Sequence, residues 1–284
     1  MRTRYRFTNA RVGTHCPGQA AAAGALRGKT RDRAGALKDL DRALAIPRAA
    51  LGDAHPAVGS TLYNIGSCRF EAGDLAAALE AFEQGMKIQQ AALGESHASI
   101  GTCWSCIGQC KNSKGDHTGG LHALERSLEI SQAAFGDGHP SVGQAWLGIG
   151  ACRFQAGDMA GALEAVTGGI TNLTSKFGET HENVGVGWAN LGTCKSRVGD
   201  NAGAPEAHSH GLQIVRKQLG EGHPNVGRCW VNVGVSLLNM GDFADALEPL
   251  STGRRILHEA LGADHPQHFR AARVLQECVA CLST

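Results

Sequence analysis

Several things that would point to a particular chemistry are missing from this chain of 284 residues. No stretch approaches the ~18 consecutive apolar residues of a membrane-spanning helix, and the apolar run Ala20–Leu26 is too short and too Gly-broken for a secretory leader. There is no G-x-x-x-x-G-K-[ST] phosphate loop, no G-x-S-x-G nucleophile turn and no consistently placed pair of carboxylates. Charge of one sign is lacking too: 27 Lys and Arg stand against 26 Asp and Glu. That balance gives no reason to expect nucleic acid or an anionic membrane as partner. Aromatics are scarce at 5%, and Pro occurs only eight times.

Glycine, in contrast, is plentiful, with 39 residues or roughly twice the ~7% average. Charge is also unevenly spread, because residues 1–50 hold 11 basic and three acidic side chains while the rest is mildly acidic. Arg2, Arg4, Arg6 and Arg11 weakly resemble an organellar transit peptide, but the Ser enrichment of such peptides is absent. Residues 1–19 are expected to form an irregular basic tail.

The dominant feature is a repeat of 42 residues. His55, His97, His139, His181, His223 and His265 follow one another at that spacing, each with a Gly three residues before it. Gly66, Gly108, Gly150, Gly192 and Gly234 share the period, as do the pairs Gly73-Asp74, Gly115-Asp116, Gly157-Asp158, Gly199-Asp200 and Gly241-Asp242. Five full units therefore begin near His55, His97, His139, His181 and His223. A partial unit precedes them, in which Gly24, Asp32 and Ala36–Ile46 match Gly66, Asp74 and Ala78–Ile88, and another follows over His265–Thr284.

Each unit reads as two helices. Leu62, Ile65 and Cys68 recur along a first helix that opens after His-Pro, where Pro is tolerated because its missing N–H has no intrahelical partner. Gly73 breaks the chain, and Asp74 is placed to cap a second helix with the apolar stripe Leu75, Ala78, Leu79, Phe82, Met86 and Ile88. Leu93-Gly94 closes it. A propeller of similar period needs strands rich in β-branched and aromatic residues, whereas Ala, Leu, Glu and Gln prevail here. HEAT and armadillo arrays have a suitable length but lack these fixed columns of small residues.

Those columns carry a resemblance. The series Leu62, Trp104, Trp146, Trp188, Trp230 is followed by Ile65-Gly66, Ile107-Gly108, Ile149-Gly150, Leu191-Gly192 and Val233-Gly234. An Ala column (Ala78, Gly120, Ala162, Ala204, Ala246) and a small-residue column (Gly85, Ser127, Gly169, Gly211, Gly253) come next. This pattern resembles the tetratricopeptide repeat, lengthened from 34 residues. The 42-residue unit with its Leu-Gly-x-x-His-Pro-x-Val linker is similar to the repeats of kinesin light chains and nephrocystin-type proteins. Departures are Gly59 and its column where that family usually has Ala, and Arg69, Lys111, Arg153 and Lys195 where it commonly has Tyr. No heptads of the light-chain coiled coil occur before residue 50.

The resemblance implies an all-α, right-handed superhelical solenoid of antiparallel helix pairs over residues 20–284. It implies a non-catalytic cytoplasmic scaffold, without cofactor or metal, that holds a peptide segment of a partner protein in its concave groove. Transferred column by column, the binding positions include Tyr63, Asn64, Ser67, Ser105, Gln109, Gln144, Asn190, Arg197, Arg228, Asn232 and Asn239. Amides suit a peptide backbone because they both donate and accept, and Arg197 and Arg228 suit an acidic motif. The expected partners are proteins or peptide motifs, acidic ones included, extending to a cytoskeletal or motor complex, with no nucleic acid and no membrane insertion. A second expectation is a regulatory or sensor part of a larger nephrocystin-like or nucleotide-switch protein.

Two features invite chemistry and are read as structure. The six His recur at least one helix-packing distance of ~8–10 Å apart, too far to share a metal whose bonds to nitrogen are ~2.0–2.1 Å. They are expected to hydrogen-bond or pack at each interhelical loop. Cys68, Cys110, Cys152, Cys194 and Cys278 lie in one column and read as small buried hydrophobes. Cys103, Cys106 and Cys110 share one helical face, which leaves a soft-metal or redox site as a third possibility. Twenty-five of the glycines fall in five repeat columns, three of them inside helices, so close helix contact and marginal stability are expected.

Overall fold

The structure is a computed structural model that describes residue 42 and residues 44–283. Among the described residues there are helices and no strand. After a helical stretch over 44–51 come α1 (Pro56–Ala72), α2 (Leu75–Leu93), α3 (Ala98–Ser113), α4 (His117–Phe135) and α5 (Pro140–Ala156). Then follow α6 (Met159–Phe177), α7 (Glu182–Val198), α8 (Gly203–Leu219), α9 (Pro224–Met240), α10 (Phe243–Leu261) and α11 (Pro266–Leu282). The expected basic tail over 1–19 and most of the leading partial unit, Gly24 and Asp32 included, lie outside the described residues.

Repeated local chemistry sets the helix boundaries. Gly73 has φ +84°, and the N–H of Asp74 reaches the Arg69 carbonyl at 3.0 Å, which closes α1 on a left-handed residue that Gly adopts without a Cβ penalty. Second helices start on an aspartate: Asp74, Asp116 and Asp158 Oδ1 accept from the N–H three residues on, at 3.2, 2.9 and 2.9 Å. First helices start on the periodic histidine. Nδ1 of His55, His97, His139, His181, His223 and His265 accepts from the backbone N–H two residues later at 3.1–3.2 Å. The motif that invited thoughts of metal is thus a helix cap six times over.

The chain divides after Ala156 into two compact units, one carrying α1–α5 and the other α6–α11. In the first, α1 packs on α2, α2 on α3, α3 on α4 and α4 on α5, while α1, α3 and α5 also touch in series. Its core holds Ala78, Phe82, Met86, Ile100, Cys103, Ile107, Cys110 and Ile130. In the second unit α6 to α11 pack each on the next, and α7, α9 and α11 touch in series. Leu212, Val215, Val226, Cys229, Val233 and Ile256 build a core cluster there. Where first and second helices meet, glycine faces glycine: a Cβ on Gly59 would lie 2.8 Å from the Gly85 carbonyl oxygen, and one on Gly85 equally close to that of Gly59. The internal glycine columns therefore set how near the two helices of a pair approach.

Candidate functional site

Within each compact unit the first helices of successive repeats touch in series, and the sequence-derived binding positions lie on these helices. In the first unit Tyr63, Asn64, Ser67 and Gln109 are half-buried, whereas Ser105 and Gln144 are buried. Tyr63 Oη accepts from Cys106 Sγ at 3.5 Å, joining α1 to α3. Ser67 Oγ donates to the Tyr63 carbonyl at 3.1 Å, and Gln109 Nε2 to Ser105 Oγ at 3.4 Å. Tyr63, Ser67, Ser105 and Gln109 thus come together on neighbouring helices as a neutral patch of hydroxyls and amides. Gln144 sits apart on α5 and shows 9% of its surface.

In the second unit Arg197 and Asn239 are exposed and Arg228 is half-buried. Asn239 Nδ2 donates to Ser196 Oγ at 3.4 Å, which links α9 to α7 beside Arg197. Asn190 is only 1% exposed and Asn232 8%. Neighbouring helices pack close enough to take these amides below the surface. Arg228 donates through Nη2 to Asn225 Oδ1, and burial lowers the guanidinium's affinity for its proton. Its Nε, and the Nδ2 of Asn232 one turn further on, are buried donors with no hydrogen-bond partner. Unmade hydrogen bonds of this kind cost about 1–3 kcal/mol each.

The other candidates resolve into structure. Arg69, Lys111, Arg153 and Lys195 each stand in the last turn of a first helix, where a cation meets the negative end of the helix dipole. Lys195 Nζ also pairs with Asp200 Oδ2 at 3.2 Å. The Asp200 carboxyl is held below its ordinary range, first by the Gly203 N–H and then by Lys195. Of the cysteine cluster, Cys103 and Cys110 enter the core and Cys106 turns to Tyr63. Burial pushes these thiols up to about 12, 12 and 11, which keeps them protonated at neutral pH.

Some interactions lay beyond the sequence reading. Arg216 stacks over the Trp230 ring at 5.8 Å and Trp188 meets His210 edge-on at 4.6 Å, so two of the tryptophans brace α8. His208 is buried between hydroxyls of α7 and α9. It was legible as a lone histidine in the column Phe82, Leu124, Val166, His208, Leu250.

Comparison with known proteins follows the same lines. The family model described as Tetratricopeptide repeat matches residues 19–91 and 99–167, together half of the chain. Among curated proteins none matches. Among solved structures, BtubC (BKLC) from P. vanneervenii is similar at 18% identity and TM-score 0.59, covering 85% of this chain and 94% of its own. A Podosopora anserina putative kinesin light chain with nearly identical TPR-like repeats is also 18% identical, with TM-score 0.55, over 74% of this chain and 99% of its own. The apo form of RapI is similar at 11% identity and TM-score 0.58, over 78% and 83%. At these identities the likeness is one of fold.

Proposed function

Because the chain belongs to the tetratricopeptide-repeat family, an all-α class whose stacked helix pairs offer extended binding surfaces, we propose that it is a protein-interaction scaffold. Its first-helix faces hold a segment of a partner protein, and no catalytic step is assigned to it. The more specific form of the proposal is recognition of an acidic segment, in the manner of a cargo-binding light chain, in a reducing cytoplasm that suits a chain rich in buried thiols. The observation that carries it is the pair of unsatisfied buried donors on α9, Arg228 Nε and Asn232 Nδ2. A carboxylate answers both, since a charge-assisted hydrogen bond to Arg is roughly twice as strong as a neutral one.

The test is a peptide array in which Asp and Glu are scanned through extended sequences and bound by the full chain. Acidic peptides are expected to bind, and Arg228→Gln with Asn232→Ala is expected to weaken them about 10- to 100-fold, the size of a hydrogen bond to a charged group. Equal binding by the double variant, or no preference for acidic peptides, refutes the acidic-segment reading.

A further inference from the structure

One buried side chain serves none of these roles. In a column otherwise filled by Phe82, Leu124, Val166 and Leu250, the fourth repeat carries His208, whose surface is 1% exposed. The ring ties three helices together. From α8, its Nδ1 lies 2.7 Å from Ser236 Oγ on α9, and its Nε2 lies 3.3 Å from Thr193 Oγ1 on α7. Thr193 donates its own hydroxyl proton to the Ala189 carbonyl at 3.0 Å. Thr193 Oγ1 must then accept, which puts the ring proton on Nε2 and leaves Nδ1 to accept from Ser236. A neutral ring in one tautomer completes the set. It also has no space to retreat, because a Cβ on Gly192 would come within 2.5 Å of its Cδ2.

We propose that His208 is an acid-sensitive latch: neutral, it fastens α7 and α9 to α8, and protonated, it releases them and loosens the second unit. A charged ring would find no counter-charge. On α7, Glu182 stands three turns from Thr193, Arg197 is exposed, Lys195 is paired with Asp200, and burial pushes the Cys194 thiol up to about 12 so that it stays neutral. On α9 the one charged side chain is Arg228, two turns from Ser236, beside Cys229 with its thiol pushed up to about 11. Glu206, His210, Arg216 and Lys217 of α8 itself are all exposed.

The direction of the pH effect follows. Desolvation lowers the folded ring to about 4, against a smaller opposing contribution from the Ala189 carbonyl, while an unfolded histidine takes up its proton near 6.5. Between those values the open form binds more protons. The stability that the latch contributes is therefore full above about pH 6.5 and is lost as pH falls towards 4. Since α7 and α9 also carry Asn190, Arg197, Arg228 and Asn232, acid would disturb the proposed binding face too; that corollary rests on the functional reading above, and the latch itself does not.

Hydrogen exchange of the full chain at pH 7 and pH 4.5, corrected for intrinsic rates, tests it without a partner. On acidification, opening across α7–α9 is expected to increase on the order of 100-fold more in the wild type than in His208→Leu, which copies Leu124 and Leu250. The double variant His208→Leu/Ser236→Cys gives both positions the side chains usual in their columns and serves if Leu alone unsettles α8. The capping histidines are present in all three proteins, so their acid response cancels. An equal acid response in the wild type and a folded variant overturns the latch. So does a ring titration by NMR in which His208 of the folded wild type is protonated above pH 6. Loss of peptide binding with the exchange difference intact would count against the binding face alone.

Discussion

At the scale of single residues, the periodic histidines of the third and fourth repeats combine two small tasks in one ring. Nδ1 of His181 accepts the Asn183 N–H at 3.1 Å, and the same ring stacks on the exposed Phe177 with centroids 4.0 Å apart and planes 11° from parallel. His139 repeats the arrangement on Phe135 at 4.0 Å. A cap is worth about 1 kcal/mol and an aromatic pair about 0.5–1.5 kcal/mol, which separates the two by substitution. His181→Ala is expected to cost about 1.5–2 kcal/mol and His181→Asn, which restores an oxygen acceptor, only about half of that. Urea unfolding followed by the fluorescence of the four tryptophans, of which Trp188 stands on the same helix, measures both. If Asn is no better than Ala, the ring matters for its stacking and not for its nitrogen.

At the scale of helices, the decisive contact is between backbones. A Cβ on Gly211 of α8 would lie 2.6 Å from the Gly185 carbonyl oxygen and 2.9 Å from the Ala189 nitrogen, both backbone atoms that cannot rotate aside. On α6, a Cβ on the exposed Gly168 would meet nothing within 4 Å. Gly211→Ala is therefore expected to destabilise by about 1–3 kcal/mol through overpacking. Gly168→Ala should instead stabilise by up to about 1 kcal/mol, because Ala is the better helix former. Thermal melts of the two variants decide it, and a Gly211→Ala protein as stable as the wild type would remove close approach as the reason for the glycine columns. The helix pairs themselves were legible in the sequence because each column is read several times over, so one irregular copy does no harm. Irregular copies are where columns mislead. Pro205 has no N–H to give to the Asn201 carbonyl, so the regular helix α8 starts at Gly203 and not directly after Asp200, although Asp200 Oδ1 still accepts the Gly203 N–H at 2.8 Å. Asp242 occupies a capping column yet its side chain caps nothing in α10. The proposed binding positions were less legible for a related reason: a column tells which side of a helix a residue occupies, but not how closely the next helix lies. Asn190 shares a column with half-buried Asn64, but its neighbours cover it almost completely.

At the scale of the whole molecule, stability in a repeat protein is close to a sum of local terms, each unit supported by its immediate neighbours. The fourteen glycines of the three helix-internal columns, at up to about 1 kcal/mol each relative to Ala, keep that sum small enough for one substitution to show. Pro249 offers the test. It stands inside α10, buried, in a column otherwise made of Ala81, Ala123, Ala165 and Ala207, and as a proline it withholds an N–H from the helix. Pro249→Ala should recover between about 1 and 3 kcal/mol in α10. Within the second unit α10 packs on α9 and α11, which carry the buried Cys229 and Cys278, whereas Cys194 lies further back on α7. Burial raises all three thiols above their ordinary range, so each reacts only when its helix opens. Alkylation of the native chain, read residue by residue, is expected to slow about tenfold or more at Cys229 and Cys278, as 1.4 kcal/mol is a factor of ten, and distinctly less at Cys194. Equal slowing at all three sites would mean that α7 to α11 open as one cooperative block, and the neighbour-by-neighbour account of this fold would have to be given up.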